Sequence, residues 1–156
     1  MLIGIMSDTH DDLSSTTFAL EAMIQRGCIA IIHAGDICSP FVAKAMAGFG
    51  TACYAVFGNN DGDRLHLSDI IDIQPAPRHL TIDNREIIVF HEPFINEFID
   101  PTKVSLLIYG HTHTKHKSRV KDMLVVNPGT ASGILANKKT FAIYDTSAHK
   151  VEFCEI

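Results

Sequence analysis

The chain lacks the segments and cysteine pairs that mark membrane, secreted and redox proteins. No apolar run approaches the roughly 18–20 residues that cross a bilayer, so no membrane partner is predicted. The apolar opening at residues 1–6 is too short for a signal peptide. The four cysteines include no C-x-x-C pair, so neither a zinc knuckle nor a redox dithiol is predicted. We therefore expect a soluble cytoplasmic protein with reduced thiols.

A surplus of positive charge is also missing. The 13 Lys and Arg residues against 18 Asp and Glu residues leave a formal net charge of −5, which argues against extended nucleic acid as a partner. The hydrophobic content of 46% excludes disorder, and the length of 156 residues predicts one domain over residues 1–156. Tryptophan is absent, whereas histidine occurs nine times, so the positions of the histidines carry the functional argument.

Short apolar runs, several of them rich in β-branched residues, predict strands at residues 2–6, 29–34, 52–57, 86–90, 105–109, 123–126 and 141–144. Helices are predicted at residues 13–26, capped by Ser14 or Ser15 and stopped by Gly27, and at residues 40–47, capped by Ser39. Residues 58–69 show no period and are predicted to form a loop. The first half therefore alternates strand and helix, which favours parallel pairing.

The second half instead pairs strands in hairpins, with partner strands at residues 80–82, 118–121 and 151–153. The expected fold class is α/β, with two mixed β-sheets that face each other and helices outside. Phe94, Ile95, Phe98 and Ile99 are expected to pack as a short helix, with a pocket wall or a dimer contact as alternatives. The sequence leaves the oligomeric state open.

Polar side chains follow six of the apolar runs, at the point where each strand ends. Because ligands bind where the carboxyl ends of strands meet, we expect these side chains to converge. Imidazole and carboxylate groups suit Mn, Fe, Co, Ni or Zn. The seven candidate side chains are enough to hold two divalent ions, with the carboxylate of Asp36 as the bridge between them. The candidate metal ligands are Asp8, His10, Asp36, Asn59, His91, His111 and His113.

Two ions about 3.5–4 Å apart activate a bridging water and clamp the oxygens of an in-line displacement at phosphorus. Two dications, two aspartates and one hydroxide leave a local charge of about +1, which suits a small phosphate ester. Asp8 and Asp36 could instead be caps or turn formers, and Asn59 a turn residue. A satisfied core position is the alternative for each histidine, but it would require four coincidences at strand ends.

These residues resemble the calcineurin-like metallophosphoesterases, whose motifs occur here in order as residues 8–10, 35–36, 58–61, 91 and 110–113. The short chain is most similar to the small, single-domain bacterial and archaeal phosphodiesterases of that superfamily. The resemblance implies a four-layer α/β/β/α sandwich. It also implies one metal held by Asp8, His10, Asp36 and His113, and a second held by Asp36, Asn59, His91 and His111. Manganese is favoured, and a bridging hydroxide is the expected nucleophile, with no covalent enzyme intermediate.

Two positions depart from the family pattern. Asn60 stands where many phosphatases of the superfamily have a histidine, and an amide has no useful proton to donate at neutral pH. Glu92 stands where a glycine is more usual after His91. The expected function is hydrolysis of small phosphodiesters. The alternatives are a phosphomonoesterase or protein phosphatase on the same site, and a non-catalytic, retromer-type binding scaffold with the same fold.

The expected catalytic residues are Asp36, Asn60, Asp61 and His91. Asp61 could orient Asn59, supply a proton, or only form hydrogen bonds with the backbone of its own loop. Further residues have weaker cases. We expect His33 in the core or next to a ligand rather than as a ligand itself, and Asn127 at the substrate or a metal-bound water, or in a plain turn. Arg64 is expected in solvent, with a phosphate contact as the alternative. A solvated strand face, rather than a track for nucleic acid, is expected for Lys115, Lys117, Arg119 and Lys121.

Overall fold

The computed structural model describes residues 1–93, 99–134 and 136–156. Its strands are β1 (Leu2–Met6), β2 (Cys28–His33), β3 (Ala52–Val56), β4 (Asp72–Gln74), β5 (Arg78–Ile82), β6 (Arg85–Val89), β7 (Leu106–Ile108), β8 (His116–Val120), β9 (Met123–Asn127), β10 (Thr140–Asp145) and β11 (Lys150–Glu155). Its helices are α1 (Leu13–Gln25), α2 (Pro40–Gly48) and α3 (Arg64–Ile70).

The first sheet has six strands in the order β11-β10-β1-β2-β3-β4. Strands β1 to β4 run parallel, whereas the C-terminal hairpin β10–β11 joins antiparallel to β1. All three helices pack on one face of this sheet, where Leu20, Met46 and Leu67 share a buried cluster with Ile31 and Phe141. The predicted β-α-β-α-β beginning is therefore confirmed.

The second sheet has five strands in the order β5-β6-β7-β9-β8, with β6, β7 and β9 parallel and both edge strands antiparallel. Successive side chains along a strand point to opposite faces of the sheet, so one set faces the first sheet and the other set faces outward. Val89, Ile108 and Val126 point inward to a cluster shared with Ile5 and Ile32 of the first sheet. The two mixed sheets thus face each other across this inner core, and the α/β sandwich is confirmed.

The outer face of the second sheet carries a separate apolar cluster that includes Ile88, Leu107 and Val125. Within the described ranges, the chain that packs there includes Ile99 and Val104. The short helix expected from Phe94, Ile95 and Phe98 lies outside the described residues.

Local chemistry explains where the helices begin and end. Asp12, rather than the predicted Ser14 or Ser15, caps α1, because its carboxylate accepts from the backbone N–H of Ser15 at 3.1 Å. Gly27 follows that helix with a φ of 82°, a left-handed conformation that glycine adopts without strain. Ser39 stands at the N-cap of α2 as predicted, followed by proline, but its side chain makes no cap hydrogen bond.

The prediction of a loop through residue 69 is wrong from Arg64 onward, where α3 begins. This helix is seven residues long and buries only Leu67, so no apolar period reveals it. Strand β4 was not predicted either, because it is a three-residue edge strand with one buried side chain. Among the described residues, no helix is long and apolar enough to traverse a bilayer.

Candidate metal centre

Each predicted ligand lies in a loop that directly follows a strand. Asp8 and His10 follow β1, and Asp36 and Asn59 follow β2 and β3. His91, His111 and His113 follow β6 and β7 of the other sheet. Because these five strands are parallel within their sheets, their carboxyl ends meet at one rim of the sandwich. The structure brings all seven side chains together there, in two groups.

The first group consists of Asp8, His10 and His113. The Nε2 atoms of the two histidines lie 3.1 Å apart, and that of His113 lies 3.2 Å from Asp8 Oδ1. His113 Nδ1 faces the carbonyl of Ile134 at 3.1 Å, so it carries the ring proton and leaves the Nε2 lone pair toward Asp8. Asp8 Oδ1 is buried and has no hydrogen-bond partner in the part of the chain that the structure describes.

The second group consists of Asp36, Asn59, His91 and His111. Asn59 Oδ1 lies 2.9 Å from His91 Nε2 and 2.9 Å from His111 Nδ1. His91 Nδ1 donates to the carbonyl of Ala34 at 2.8 Å, which leaves the lone pair of Nε2 pointing at two oxygen atoms. Such a contact is favourable only with a proton or a cation between the atoms.

Asp36 lies between the two groups. Its Oδ2 atom is 3.7 Å from His10 Nε2 in the first group and 3.4 Å from His91 Nε2 in the second. The side chain is almost fully buried, with 1% of the residue exposed. A carboxylate in this position can be shared by both groups, which is the role that the sequence predicted for it.

Most of these residues have a strained backbone. Asp8, His10, Asp36, His111 and His113 have φ values of 53°, 40°, 60°, 66° and 55°, in the left-handed region that side chains other than glycine rarely adopt. Each such residue costs roughly 1–3 kcal/mol and persists where surrounding contacts hold it. Strain concentrated on the predicted ligands is typical of a functional site. This backbone strain could not be predicted from the residue types at these positions.

Two glycines allow the loops to approach the carboxylates. A Cβ atom on Gly58 would overlap the carboxylate of Asp36, and one on Gly110 would overlap the hydroxyl of Ser7 and crowd Asp8 Oδ2. The backbone N–H of His111 can therefore reach Asp8 Oδ2, to which it donates at 3.1 Å. One oxygen of Asp8 is thus held by the backbone while the other faces the two histidines.

Asp61 holds the loops after β2 and β3 together. Its Oδ2 atom accepts from the backbone N–H groups of Asp36 at 3.1 Å and Gly58 at 2.7 Å, and its Oδ1 atom accepts from that of Cys38 at 2.7 Å. Both oxygens are therefore acceptors, and the residue is buried. This arrangement favours a positioning role over proton donation.

Two further residues support the loops in ways that the sequence left open. His33 is fully buried; its Nδ1 accepts from Gly35 N at 3.1 Å, and its Nε2 faces Thr9 Oγ1 at 3.2 Å. Asn127 donates to the carbonyl of Gly110 at 2.8 Å and accepts from the N–H of Gly129. Asn127 thus shapes the loop that carries His111 and His113. Its position at the end of a strand is the only indication of this role in the sequence.

Burial and hydrogen bonds move the pKa values of the carboxyl groups in opposite directions. Burial raises the pKa of Asp8, and the bond from Ser7 and the charges of His91 and His113 offset this only in part. Burial also acts to raise the pKa of Asp36, but the adjacent His91 ring and the hydrogen bonds from Asn60 outweigh it and hold that pKa below its usual value. For His91, burial opposes protonation, yet Asp36 and the Ala34 carbonyl raise its pKa.

The donor set fits divalent metal ions. Ligands that lie about 2.0–2.2 Å from one ion are about 3–3.5 Å from each other. The separations within the two groups, from 2.9 Å for the Asn59 contacts to 3.8 Å between His10 Nε2 and Asp8 Oδ1, lie close to this range. Asp8, His10 and His113 form one set of atoms able to hold an ion, and Asp8, Asp36 and His91 form another. A cation would also satisfy the unpaired Asp8 Oδ1 and compensate the two buried carboxylates.

The site opens into a cleft of about 560 Å³. It is lined by His10, Asp36, Cys38, Asn59, Asn60, His111, His113 and Ile134. No lysine or arginine lines this cleft within the described ranges, so the protein itself supplies no fixed cation for an anionic substrate there. Arg64 is exposed and donates to the carbonyl of Asp61 at 3.2 Å, and the five residues of β8 are exposed.

Comparison with known proteins agrees with this geometry. The calcineurin-like phosphoesterase superfamily domain matches residues 1–149. The chain is 34% identical to phosphodiesterase MJ0936 of Methanocaldococcus jannaschii, over 100% of this chain and 98% of that protein. The solved structure of an archaeal phosphodiesterase superposes with a TM-score of 0.91 at 34% identity and covers 100% of both chains.

A more distant neighbour is a single mutant of Vps29 from Entamoeba histolytica, with a TM-score of 0.72 and 16% identity over 100% of this chain and 99% of that one. At that identity the likeness shows the fold alone. The family match and the archaeal relative cover nearly the whole chain, and both point to phosphoester chemistry with divalent metal ions. The chain belongs to the calcineurin-like phosphoesterase superfamily and is a metal-dependent hydrolase of phosphoric esters.

Proposed function

We propose that this chain is a phosphodiesterase that hydrolyses small phosphodiesters at a centre of two divalent metal ions. One observation carries the proposal: two groups of ligand atoms meet at Asp36 Oδ2, while the buried Asp8 Oδ1 has no hydrogen-bond partner in the described part of the chain. The similarity to the phosphodiesterase MJ0936 supports the choice of a diester over a monoester.

The two groups divide the ligands between the ions. Asp8, His10, Asp36 and His113 would hold one, and Asp36, Asn59, His91 and His111 would hold the other. Manganese is the favoured ion, and Ni, Fe, Co and Zn suit the same donors. When bound, such a pair lowers the pKa of a water molecule toward neutrality and offsets the negative charge of the phosphoryl group.

The side chains of the cleft then set the preference for the leaving group. Asn60 lines the cleft and donates through its amide to Asp36 Oδ2 at 2.8 Å, so it orients the shared carboxylate. An amide gives no proton to a departing alkoxide. Diesters with good leaving groups, and cyclic diesters, need that proton least, whereas alkyl monoesters need it most.

We further propose that residues 1–156 act as one domain in the cytoplasm. The four cysteines are unpaired in the structure, and burial raises the pKa of Cys28 to about 11 and that of Cys53 to about 11. Thiols in such surroundings stay protonated and unreactive, which suits a reducing compartment.

The test is a metal-stripped sample that is reloaded with Mn, Ni, Co or Zn. Each form is assayed on an aryl phosphodiester, an aryl phosphomonoester, an alkyl monoester and cyclic nucleotides, and bound metal is counted by elemental analysis. We expect about two ions per chain, no activity without metal, and a higher kcat/KM for the aryl diester than for either monoester. A higher kcat/KM for a monoester would overturn the proposal in favour of a phosphomonoesterase.

The variant Asp36→Asn ties the result to this site. It should lower kcat/KM by at least about a hundredfold, because the shared carboxylate loses its charge. Asp69→Asn, which removes an exposed carboxylate of α3, should leave kcat/KM unchanged. A well-folded, metal-loaded protein that hydrolyses none of the four substrates would instead support the non-catalytic scaffold.

A further inference from the structure

A second pocket adjoins the cleft on the side of His113. It has a volume of about 320 Å³ and is lined by His113, Thr114, Lys115, Ala136, Asn137, Lys138 and Thr140. His113 lines both the cleft and this pocket, so its ring stands at the boundary between them. Two residues of extended chain span at most about 7 Å, so the backbone of Lys115 lies within that distance of the backbone of His113. The cleft and this pocket are therefore neighbours at His113.

The pocket differs from the cleft in its charge. Two ammonium groups line it, and none of its lining residues is acidic. Lys138 Nζ is paired with Glu155 Oε1 at 2.7 Å in an exposed ion pair, which brings one negative charge next to Lys138. Lys115 has no carboxylate within 4.0 Å among the described residues, and its Nζ lies 5.9 Å from the ring centre of Phe153. Lys115, Lys138 and Glu155 together leave one positive charge.

This arrangement suits an anion held a short distance from the reacting phosphorus. Ligand pockets have volumes of about 300–1,000 Å³, and the present one lies at the small end, which fits a single compact group. Lys115 and Lys138 are both exposed, so their attraction for an anion is screened by salt and should weaken as the ionic strength rises. The amide of Asn137 adds an uncharged donor to the same lining.

We propose that Lys115 and the pocket around it bind a second phosphate group of the substrate. The substrate class is then phosphodiesters that carry a further phosphate, as on the sugar of a nucleotide. This inference rests on the proposed function, because the first phosphate is the diester at the metal centre. Lys115 acts in specificity and touches no reacting atom.

Binding of two nucleotides that differ by one phosphate tests the proposal. The dissociation constants of thymidine 3′,5′-bisphosphate and thymidine 5′-phosphate are measured by calorimetry on the manganese-loaded protein at low and high salt. We expect the bisphosphate to bind at least about fivefold more tightly at low salt, and this preference to shrink as salt screens the charge. Equal dissociation constants at low salt would overturn the inference.

Variants with opposite effects separate a binding role from a structural one. Lys115→Met keeps the aliphatic chain beside Phe153 and should abolish the preference, and Lys115→Arg should restore it. Glu155→Gln frees Lys138 and should increase the preference. Arg119→Ala is the control, because it removes one positive charge from β8, which begins directly after Lys115, about 13 Å farther along the chain. If Arg119→Ala reduces the preference as much as Lys115→Met does, the inference is wrong.

Turnover distinguishes the failure of this inference from the failure of the proposed function. The matched substrates are thymidine 5′-(p-nitrophenyl phosphate) and its 3′-phosphorylated form. Hydrolysis of both with equal KM would leave the phosphodiesterase intact and contradict the second phosphate site. A bisphosphate preference that depends on Lys115, together with no hydrolysis of either diester, would support the site and contradict the phosphodiesterase.

Discussion

At the scale of single residues, Asn60 contacts the carboxylate that both ligand groups share. Its backbone N–H donates to Asp36 Oδ1 and its side-chain amide to Asp36 Oδ2, each at 2.8 Å. These bonds help to hold the pKa of Asp36 low despite its burial. The same amide faces the cleft, where a histidine could act as a general acid. Under the proposed function, Asn60 thus orients the proposed ligand Asp36 without contributing a proton.

Asn60→His should therefore improve the hydrolysis of alkyl monoesters relative to aryl diesters. A positioned imidazolium contributes about 10²–10⁴ to reactions that need a proton at the leaving group, so the ratio of kcat/KM should rise by about tenfold or more. The measurement is phosphate release from glycerol 2-phosphate beside hydrolysis of an aryl diester. Asn60→Ala is the matched control, since it loses the bond to Asp36 without gaining a proton donor. Equal ratios in the two variants would contradict this account of Asn60.

At the scale of the elements, the site depends on loops that are tied to each other rather than on the strands themselves. Asp8 N donates to Gly35 O at 2.9 Å, and His10 N donates to Asp36 O at 3.1 Å, which joins the loops after β1 and β2. Asp61 joins the loops after β2 and β3 through three backbone N–H groups. These hydrogen bonds involve the backbone of Asp8, His10 and Asp36, the three residues of these loops among the proposed ligands that have the left-handed conformation.

Asp61→Asn should destabilise the protein and weaken metal binding together. An amide can replace at most one carboxylate oxygen as acceptor, so buried N–H groups lose a partner at a cost of about 1–3 kcal/mol each. Urea unfolding and calorimetry with manganese measure the two effects. Asp63→Asn is the control, because the exposed Asp63 makes no cap hydrogen bond to α3. A loss of kcat without loss of stability would indicate that Asp61 supplies a proton instead.

At the scale of the whole molecule, His33 links the core to the acid stability of the protein. Burial lowers its pKa to about 3 in the folded state, against about 6.5 in the unfolded chain. Between these values the unfolded state binds more protons. The stabilising contribution is therefore complete above about pH 6.5 and is lost as the pH falls toward 3.

When the pH falls from 7.5 to 5, protonation of His33 in the unfolded chain should lower the free energy of unfolding by about 2 kcal/mol. His33→Asn removes the titrating ring, so its free energy of unfolding should fall by less over the same interval, whatever its value at pH 7.5. His79→Asn replaces an exposed histidine and should keep the wild-type dependence. Urea unfolding at the two pH values supplies the comparison. An identical pH dependence in His33→Asn and the wild type would show that His33 is not kept neutral by burial.

Much of the fold follows from local pattern. The apolar runs at β1, β3 and β9 have the bounds that the sequence predicts within one residue, because each is a buried strand flanked by polar turns. The helix α3 and the edge strand β4 escape detection because each buries one side chain. Their place is set by contacts with neighbouring elements that no local period can encode.

The sequence by itself determined which residues could serve as ligands, since a polar group at the end of an apolar strand is a local property. It also determined the shortage of positive charge and the amide at position 60. Only the tertiary structure decided that Asp36 lies between two groups, that Asp8 Oδ1 lacks a partner among the described residues, and that Asp61 joins loops 25 positions apart in sequence. These features depend on distances of a few ångströms between distant segments, which arise only when the two sheets pack face to face.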